Sequence, residues 1–344
     1  MFETTNHRRG RVVAAAAAIA TSSLLLAGCS GGGSASSGAS AGSSGSLSSK
    51  TVGVSFGEMQ NPFMQAVEAG LKKGAQKYGY KISFADAQNS SAQQVNQVQG
   101  VVSKGVDAMV YIPIDTAAAN TGVQQANAAH IPVVAIDSRP EGTSGAKLAS
   151  YIATNSVDSA ETMCTWIAKK MGGSGELGII RGILGSTPEL QRSEGCAKAL
   201  KNYPKIKVVS NQSGEWDASK SFALAQNMMS ANPNLKAIFA QSDGEAEGAA
   251  RATKTASTHI IVASHDGFPT VWPYLRDGTV DATQAQQPYN MGLIASDTIA
   301  NILRGKSVKA LQYQPTFTVT KANADEFESK LLYGPGEKPL YGDK

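Results

Sequence analysis

Residues 51–85 read TVGVSFGEMQNPFMQAVEAGLKKGAQKYGYKISFA, and their hydrophobic pattern changes twice. Thr51–Phe56 is a short apolar run of the kind that forms a buried strand. After it, apolar residues recur at three- and four-residue steps, which predicts an amphipathic helix that ends at Gly79. Asn61 is a preferred N-cap residue, and Pro62 fits the first helical position because no N–H is needed there. An apolar run then resumes, so the stretch is a strand–helix–strand unit.

The same alternation continues along the chain. Further strands are predicted at residues 81–85, 107–112, 131–136, 177–181, 207–210, 237–240 and 260–264. Helices are predicted at residues 91–104, 116–129, 156–171, 189–202, 218–231 and 245–255. Strands that alternate with helices build parallel sheets covered by helices. The sequence therefore predicts an α/β protein with two doubly wound, Rossmann-like lobes.

Two of the predicted strands end in the same way. Residues 133–137 read VVAID and residues 261–266 read IVASHD, so both apolar runs close on an aspartate. Ligands of open parallel sheets bind outside the carboxyl ends of the strands. Asp137 and Asp266 are therefore candidate ligand-binding residues, one in each lobe.

The N-terminus has the features of a secretion signal. A basic stretch at residues 7–11 precedes an apolar, alanine-rich run at residues 12–26, which is short for a membrane span. The run closes on residues 26–29, LAGC, which resemble the lipobox of bacterial lipoproteins. This resemblance implies a signal peptide, a lipid on Cys29 and an extracytoplasmic protein anchored to the cell membrane. A plain secretory signal with an incidental cysteine is the alternative.

The composition divides the remainder into a tether and a body. Residues 30–50 are almost entirely Gly, Ser and Ala, which predicts a flexible tether. The first 29 residues contain three of the 31 basic and one of the 27 acidic residues, leaving 28 against 26. That balance gives no basic surface for nucleic acid. The two cysteines after Cys29 are Cys164 and Cys196, which either form a disulfide outside the cell or are two buried thiols.

Seven short motifs along the body occur in the order typical of one family. They are Asn61-Pro62-Phe63, Asp86-Ala87-Gln88-Asn89, Gly105-Val106-Asp107-Ala108, Ile131-Pro132-Val133-Val134, Phe239-Ala240-Gln241-Ser242-Asp243, Asp266-Gly267 and Ala285-Gln286-Gln287-Pro288. On these motifs residues 51–306 resemble the ribose-binding, type I class of periplasmic sugar-binding proteins. The resemblance implies two lobes that close on a ligand and are joined by crossings near residues 153–155, 286 and 316. The lobes would be residues 51–153 with 287–315, and residues 154–286 with 316–344.

The resemblance also implies a ligand set. Carried over position by position, it comprises Asn61, Phe63, Asp137, Trp216, Ser242, His265, Asp266 and Gln286, with Ser55 and Met64 adjacent. Carboxylates and amides suit hydroxyl groups, and aromatic side chains cover the C–H faces of a sugar. Each residue has a structural alternative: Asn61 as a helix cap, the aspartates as turn residues and Trp216 as a core residue.

Departures from the ribose pattern bear on the choice of ligand. Ile112 stands in place of an Asn, Ser138 and Leu190 in place of Arg, and His265 in place of a Phe. Residues 57–60 also form a loop two residues longer. Losing two guanidiniums and an amide disfavours ribose, because buried hydroxyls would lack partners. Arg139 compensates in part if its loop is shifted. We expect a different monosaccharide or a polyol.

The predicted function is capture of that ligand by hinge closure and its delivery to the permease and ATPase of an ABC importer. A module that presents a small signal molecule to a membrane receptor is the alternative. The four histidines, at positions 7, 130, 259 and 265, show no metal-ligand spacing, and no nucleophile with a base is evident. We therefore expect a monomeric binding protein without catalytic residues, metal or cofactor.

Overall fold

The computed structural model describes residues 46–142 and 145–329. Its strands are β1 Thr51–Phe56, β2 Lys81–Asp86, β3 Ala108–Ile112, β4 Val133–Ile136, β5 Ser150–Thr154, β6 Ser174–Arg181, β7 Lys205–Ser213, β8 Leu235–Ala240, β9 Ile261–Asp266, β10 Ala282–Ala285, β11 Leu311–Gln314 and β12 Phe317–Thr320. Its helices are α1 Pro62–Tyr78, α2 Ser91–Ser103, α3 Thr116–Ala128, α4 Ser156–Lys170, α5 Thr187–Leu200, α6 Ala218–Ala231, α7 Asp243–Thr253, α8 Trp272–Asp277, α9 Pro288–Leu303 and α10 Ala324–Ser329. The predicted signal peptide, lipobox Cys29 and most of the tether lie outside the described residues.

The strands form two six-stranded sheets. Sheet 1 has the order β11-β5-β4-β3-β1-β2, and all of its recorded pairings are parallel. Sheet 2 has the order β12-β10-β9-β8-β6-β7, and only its β10–β12 pair is antiparallel. The predicted architecture of two doubly wound parallel sheets is confirmed.

Helices cover both faces of each sheet because the strands are apolar on both faces. On β3, Val110 and Ile112 face the core under α1 and α9, whereas Met109 and Tyr111 face α2 and α3. Sheet 2 is likewise packed between α4 and α5 on one face and α6 and α7 on the other. This alternation follows from the two-residue period of a strand.

The α4–α5 pair is joined covalently. Cys164 and Cys196 form a disulfide in the structure, with Cα atoms 5.2 Å apart. The helices approach closely at Gly195, where a Cβ atom would lie 2.1 Å from the carbonyl oxygen of Val157. A side chain at this position would push the two helices apart.

The chain passes between the sheets three times: after β5, after β10, and between β11 and β12. Residues 286–287 and 315–316 make the second and third passages, so α9 and β11 belong with sheet 1 although they follow most of sheet 2 in sequence. The short elements after residue 266 were not predicted. β10 reads ATQA and is fully buried, and no hydrophobic pattern distinguishes it from a loop.

Three predicted boundaries differ from those of the structure. Leu47, in the predicted tether, is buried in the core of sheet 1, so the folded body begins before residue 50. Helix α5 begins at Thr187 and helix α7 at Asp243, each two residues before its predicted start. Ser242 and Glu245 form a capping box that sets the start of α7. Within the described ranges no helix is long and apolar enough to cross a membrane.

Candidate functional site

A cavity lies where the carboxyl ends of the two sheets face each other. It contains about 640 Å³ of empty space, counting the solvent at its mouth. Eight residues of the predicted ligand set line it: Asn61, Phe63, Met64, Asp137, Trp216, Ser242, Asp266 and Gln286. They come from both sheets and from the second passage between them. The fold thus brings together positions that are as much as 225 residues apart.

Asp266 is at the centre of a buried polar network. It ends β9 with a φ of 117° and is 4% exposed. Its Oδ1 accepts hydrogen bonds from Arg192 Nη2 at 3.2 Å and from Gln286 Nε2 at 2.7 Å. Gln286 in turn accepts from the hydroxyl of Thr154 at 2.7 Å. The network orders Asp266 before any ligand arrives.

Arg192 was missed by the sequence analysis. It projects from α5, is 3% exposed, and also donates to the backbone oxygen of Gln241. Leu190, which was placed at an arginine position of the ribose pattern, is 48% exposed and does not line the cavity. The cavity therefore contains a guanidinium that the sequence did not lead us to expect, from a position two residues beyond Leu190 on the same helix. A two-residue step reverses the side of a helix, so only the structure separates these positions.

Asp137 lies across the cavity from this network. Asp137 is the central residue of a tight turn: the N–H of Ser138 donates to the backbone oxygen of Ile136 at 2.6 Å, and the φ of Asp137 is 59°. The Tyr151 hydroxyl donates to the backbone oxygen of Asp137 at 2.6 Å. The residue is 8% exposed, and none of the residues that the structure describes donates a hydrogen bond to its side-chain carboxylate. Burial raises the pKa of Asp137 to about 6, the charge of Arg192 opposes the shift, and that of Asp266 adds to it.

Two more carboxyls lie behind the site. Asp243 accepts hydrogen bonds from Ser264, from Thr283 Oγ1 at 2.7 Å and from the N–H of Phe268 at 2.7 Å. Glu245 accepts from the N–H of Ser242 and of Trp216. Burial raises the pKa of each to about 8, so both groups are held largely protonated near neutral pH. They contribute shape and hydrogen bonds rather than full charges.

Trp216 forms one wall of the cavity. Glu215 and Trp216 both have positive φ, at 56° and 63°, which is uncommon for residues other than glycine. The indole lies over Gly182, where a Cβ atom would come within 1.8 Å of the ring. Its ring centroid is 5.7 Å from the guanidinium carbon of Arg192. Backbone strain of this kind is found where a binding site fixes a side chain.

The cavity also has an apolar lining. Ile112, Ile114 and Ile183 line the cavity together with Phe63 and Phe268. Phe63 and Phe268 also belong to the core of sheet 1 and are each 5% exposed. Phe63 therefore supports the fold as well as the cavity.

The lengthened loop before α1 adds a carboxylate. Glu58 lines the cavity and accepts from the N–H of Gln60 at 2.6 Å and of Asn61 at 3.1 Å. The Asn61 amide donates to Glu58, and its oxygen caps α1 by accepting from the N–H of Met64 at 3.0 Å. Asn61 is thus both a helix cap and a lining residue. Burial raises the pKa of Glu58.

Three predicted site residues do not line the cavity. Ser55 is buried in β1 and points to Gln97. His265 bonds the hydroxyl of Ser159 at 3.1 Å, because strand alternation directs it to α4 while its neighbour Asp266 reaches the cavity. Burial lowers the pKa of His265 well below its ordinary value.

Arg139 is the third residue outside the cavity. Its guanidinium lies 5.1 Å from the ring centre of Tyr151, and its N–H donates to Thr187 Oγ1 at 3.0 Å. The tight turn at Asp137 directs Arg139 away from the site, so it does not compensate for Ser138. In the described ranges no group of three or more His, Cys, Asp or Glu could hold a metal ion.

Comparison with known proteins agrees with this geometry. Residues 52–307 match the periplasmic binding protein domain family. The ribose import binding protein of Bacillus subtilis is 32% identical over 267 residues, which cover 78% of this chain and 86% of that protein. The structure of a Bacillus halodurans solute-binding protein with bound myo-inositol superposes with a TM-score of 0.78 at 27% identity, covering 84% of this chain and 99% of that one. An Actinobacillus succinogenes solute-binding protein with bound D-allose gives 0.75 at 26% identity, covering 80% and 99%. The chain belongs to the type I periplasmic sugar-binding proteins, a family of binding proteins that act outside the cytoplasm.

Proposed function

We propose that this protein is a solute-binding lipoprotein that captures a monosaccharide or polyol other than ribose and delivers it to an ABC importer. The observation that carries the proposal is the cavity in which Asp137 and the Asp266–Arg192 pair face each other beside the Trp216 ring. Carboxylates and a guanidinium satisfy hydroxyl groups, and an indole covers the C–H face of a ring. Relatives that bind ribose, D-allose and myo-inositol support this ligand class.

Two features disfavour ribose in this proposal. Ile112 offers no hydrogen bond where the ribose pattern has an amide, and Ser138 replaces a guanidinium that Arg139 does not supply. A ribose hydroxyl buried against Ile112 would lose its water without gaining a partner. Because Arg192 is present, the argument depends on these two positions alone.

Capture would proceed by hinge closure about the three passages between the sheets. Contacts outside the cavity already join the two sides: the N–H of Thr116 donates to the oxygen of Gly185 at 3.2 Å, and that of Arg139 to Thr187. These bonds support a closed arrangement in the described structure. A ligand that contacts both sides would stabilise the closed arrangement further and shift the population toward it.

The proposal includes the arrangement of the whole chain. The lobes would be residues 51–153 with 287–315 and residues 154–286 with 316–344, supported by the sheet to which β11 and β12 belong. A signal peptide would direct export and be removed, and a lipid on Cys29 would anchor the protein, a monomer, to the cell membrane, as the LAGC motif at residues 26–29 supports. The protein would present a bound solute without transforming it.

A thermal-shift screen tests the ligand class. The purified protein is heated with pentoses including ribose, hexoses, polyols, and a control set of amino acids and nucleosides. We expect one sugar or polyol to raise the melting temperature by mass action, with ribose giving a smaller shift. A shift confined to the amino acids or nucleosides would overturn the carbohydrate assignment.

A further inference from the structure

The charged residues that line the cavity are unequal in number. Among the described residues they are Glu58, Asp137, Asp266 and Arg192, or three acidic groups and one basic group, a formal balance of −2. Arg139 does not alter the balance, because its guanidinium stacks on Tyr151 outside the cavity. In a cavity largely withdrawn from water, such an imbalance acts more strongly than it would on an exposed surface.

The guanidinium of Arg192 already has hydrogen-bond acceptors within the protein. Arg192 bonds Asp266 and the backbone of Gln241 through its two terminal nitrogens. Glu58 is satisfied differently, by two backbone N–H groups of its own loop and by the Asn61 amide. These two acidic groups therefore have donors within the protein.

Asp137 differs from both. It is 92% buried, it lines the cavity, and no hydrogen bond from the protein to its carboxylate is recorded among the described residues. Ser138 and Ile112, which line the same cavity, carry no charge, and the Arg192 guanidinium, whose charge favours the ionised form of Asp137, is already bonded to Asp266. A carboxylate that loses its water without gaining other donors is costly to bury, so a ligand that fills the cavity must supply those donors.

A neutral hydroxyl and a protonated amine meet this requirement to different degrees. Two hydroxyls would complete the hydrogen bonds of Asp137 but leave the charge imbalance unchanged. An ammonium group supplies donors and a positive charge together, and hydrogen bonds between charged groups are about twice as strong as neutral ones. The pKa of Asp137, about 6, leaves this carboxyl ionised at pH 7.

We infer that the ligand is a polyhydroxylated amine, an amino sugar or amino polyol, whose ammonium group binds Asp137 while its hydroxyls bind the Asp266–Arg192 side. The inference deepens the proposed function and depends on it. The Ile112 wall would cover the apolar face of the same molecule.

The test is isothermal titration at pH 7 with matched triplets. Each triplet comprises an amine, its neutral hydroxyl parent and its N-acetyl derivative: D-glucosamine, D-galactosamine, an amino-inositol and 1-amino-1-deoxy-sorbitol serve as the amines. We expect at least one amine to bind about tenfold or more tightly than both its parent and its acetylated form, the gain of a charged hydrogen bond. In Asp137→Asn, which keeps the shape and removes the charge, the difference should fall below about threefold.

Ser138→Arg provides the converse variant, since a guanidinium beside Asp137 should shift the preference toward the neutral parent. A neutral parent that binds as tightly as its amine would overturn the inference and leave sugar or polyol capture intact. A preference for the amine that survives in Asp137→Asn would overturn the assignment to Asp137. If no member of any triplet binds while an amino acid or nucleoside does, the proposed function itself fails.

Discussion

The carboxyl ends of the two sheets meet at one cavity but are built differently. The end of sheet 2 carries a connected polar network, in which Arg192 and Gln286 both donate hydrogen bonds to Asp266. The end of sheet 1 presents the apolar side chain of Ile112 and the carboxylate of Asp137, which has no recorded partner in the described protein. The lobe of sheet 2 therefore holds its binding groups in hydrogen bonds before a ligand binds, whereas the lobe of sheet 1 offers the carboxylate of Asp137 to hydrogen bonds from the ligand.

This difference shows that one sequence pattern can serve two purposes. Both aspartates lie at the carboxyl end of a parallel strand, both have positive φ, and burial raises the pKa of both to about 6. Asp266 is part of the folded network, so its removal should disturb the fold. Asp137 lowers the free energy of unfolding of the ligand-free protein, so its replacement should raise that free energy.

Asp266→Ala should have the largest effect. It leaves the Arg192 guanidinium buried without its carboxylate, and breaking a buried ion pair in this way typically costs about 3 to 5 kcal/mol. The free energy of unfolding from urea titration at pH 7 measures the loss. Asp266→Asn, which keeps an oxygen for Arg192, should lose less. If Asp266→Ala were as stable as the unaltered protein, the network would not support the fold.

The disulfide gives a second difference between the lobes, because it lies in the layer of α4 and α5 on sheet 2. Replacing both Cys164 and Cys196 with Ser should lower the free energy of unfolding by roughly 3 to 4 kcal/mol, the chain-entropy value for a loop of this length. Hydrogen exchange should show faster opening in α4 and α5 and little change in α1 and α9. Equal loosening of both lobes would contradict a local role for the bridge.

Asp137→Asn should stabilise the protein. Burial raises the pKa of Asp137 from 3.8 to about 6, so between these pH values the folded protein binds more protons than the unfolded chain. This group therefore makes stability fall as pH rises from about 4 to 6, and its full cost applies at pH 7. We expect the variant to gain about 1 to 3 kcal/mol at pH 7 and little at pH 4. A loss of stability at pH 7 would mean that Asp137 has a partner in the folded protein.

Two of the aromatic residues that line the cavity, Trp216 and Phe63, should separate an effect on binding from an effect on folding. Trp216 is half-buried and covers the cavity, so Trp216→Ala should weaken binding of the ligand found in the screen by about tenfold. Phe63 lies in the core of sheet 1, so Phe63→Ala should mainly lower the melting temperature. Titration calorimetry and thermal unfolding of both variants measure the contrast. Equal effects on stability would place Trp216 among the core residues.

Most of the fold could be predicted from local patterns. The strand Thr51–Phe56 and the start of helix α1 at Pro62 have the bounds that hydrophobic period and capping residues predicted. Strands β10 and β11 could not be predicted, because each is only four residues long and of mixed polarity. Their pairing with distant strands stabilises them rather than any periodicity of their own.

The candidate site divides in the same way. The sequence by itself determined which strands end on an aspartate and which residue caps α1, because strand ends and caps are set by neighbours in the chain. Only the tertiary structure decided that Arg192 reaches the cavity while Arg139 and His265 do not. Those directions depend on helix phase, strand alternation and a turn with positive φ, and on the meeting of two sheets whose residues lie far apart in sequence.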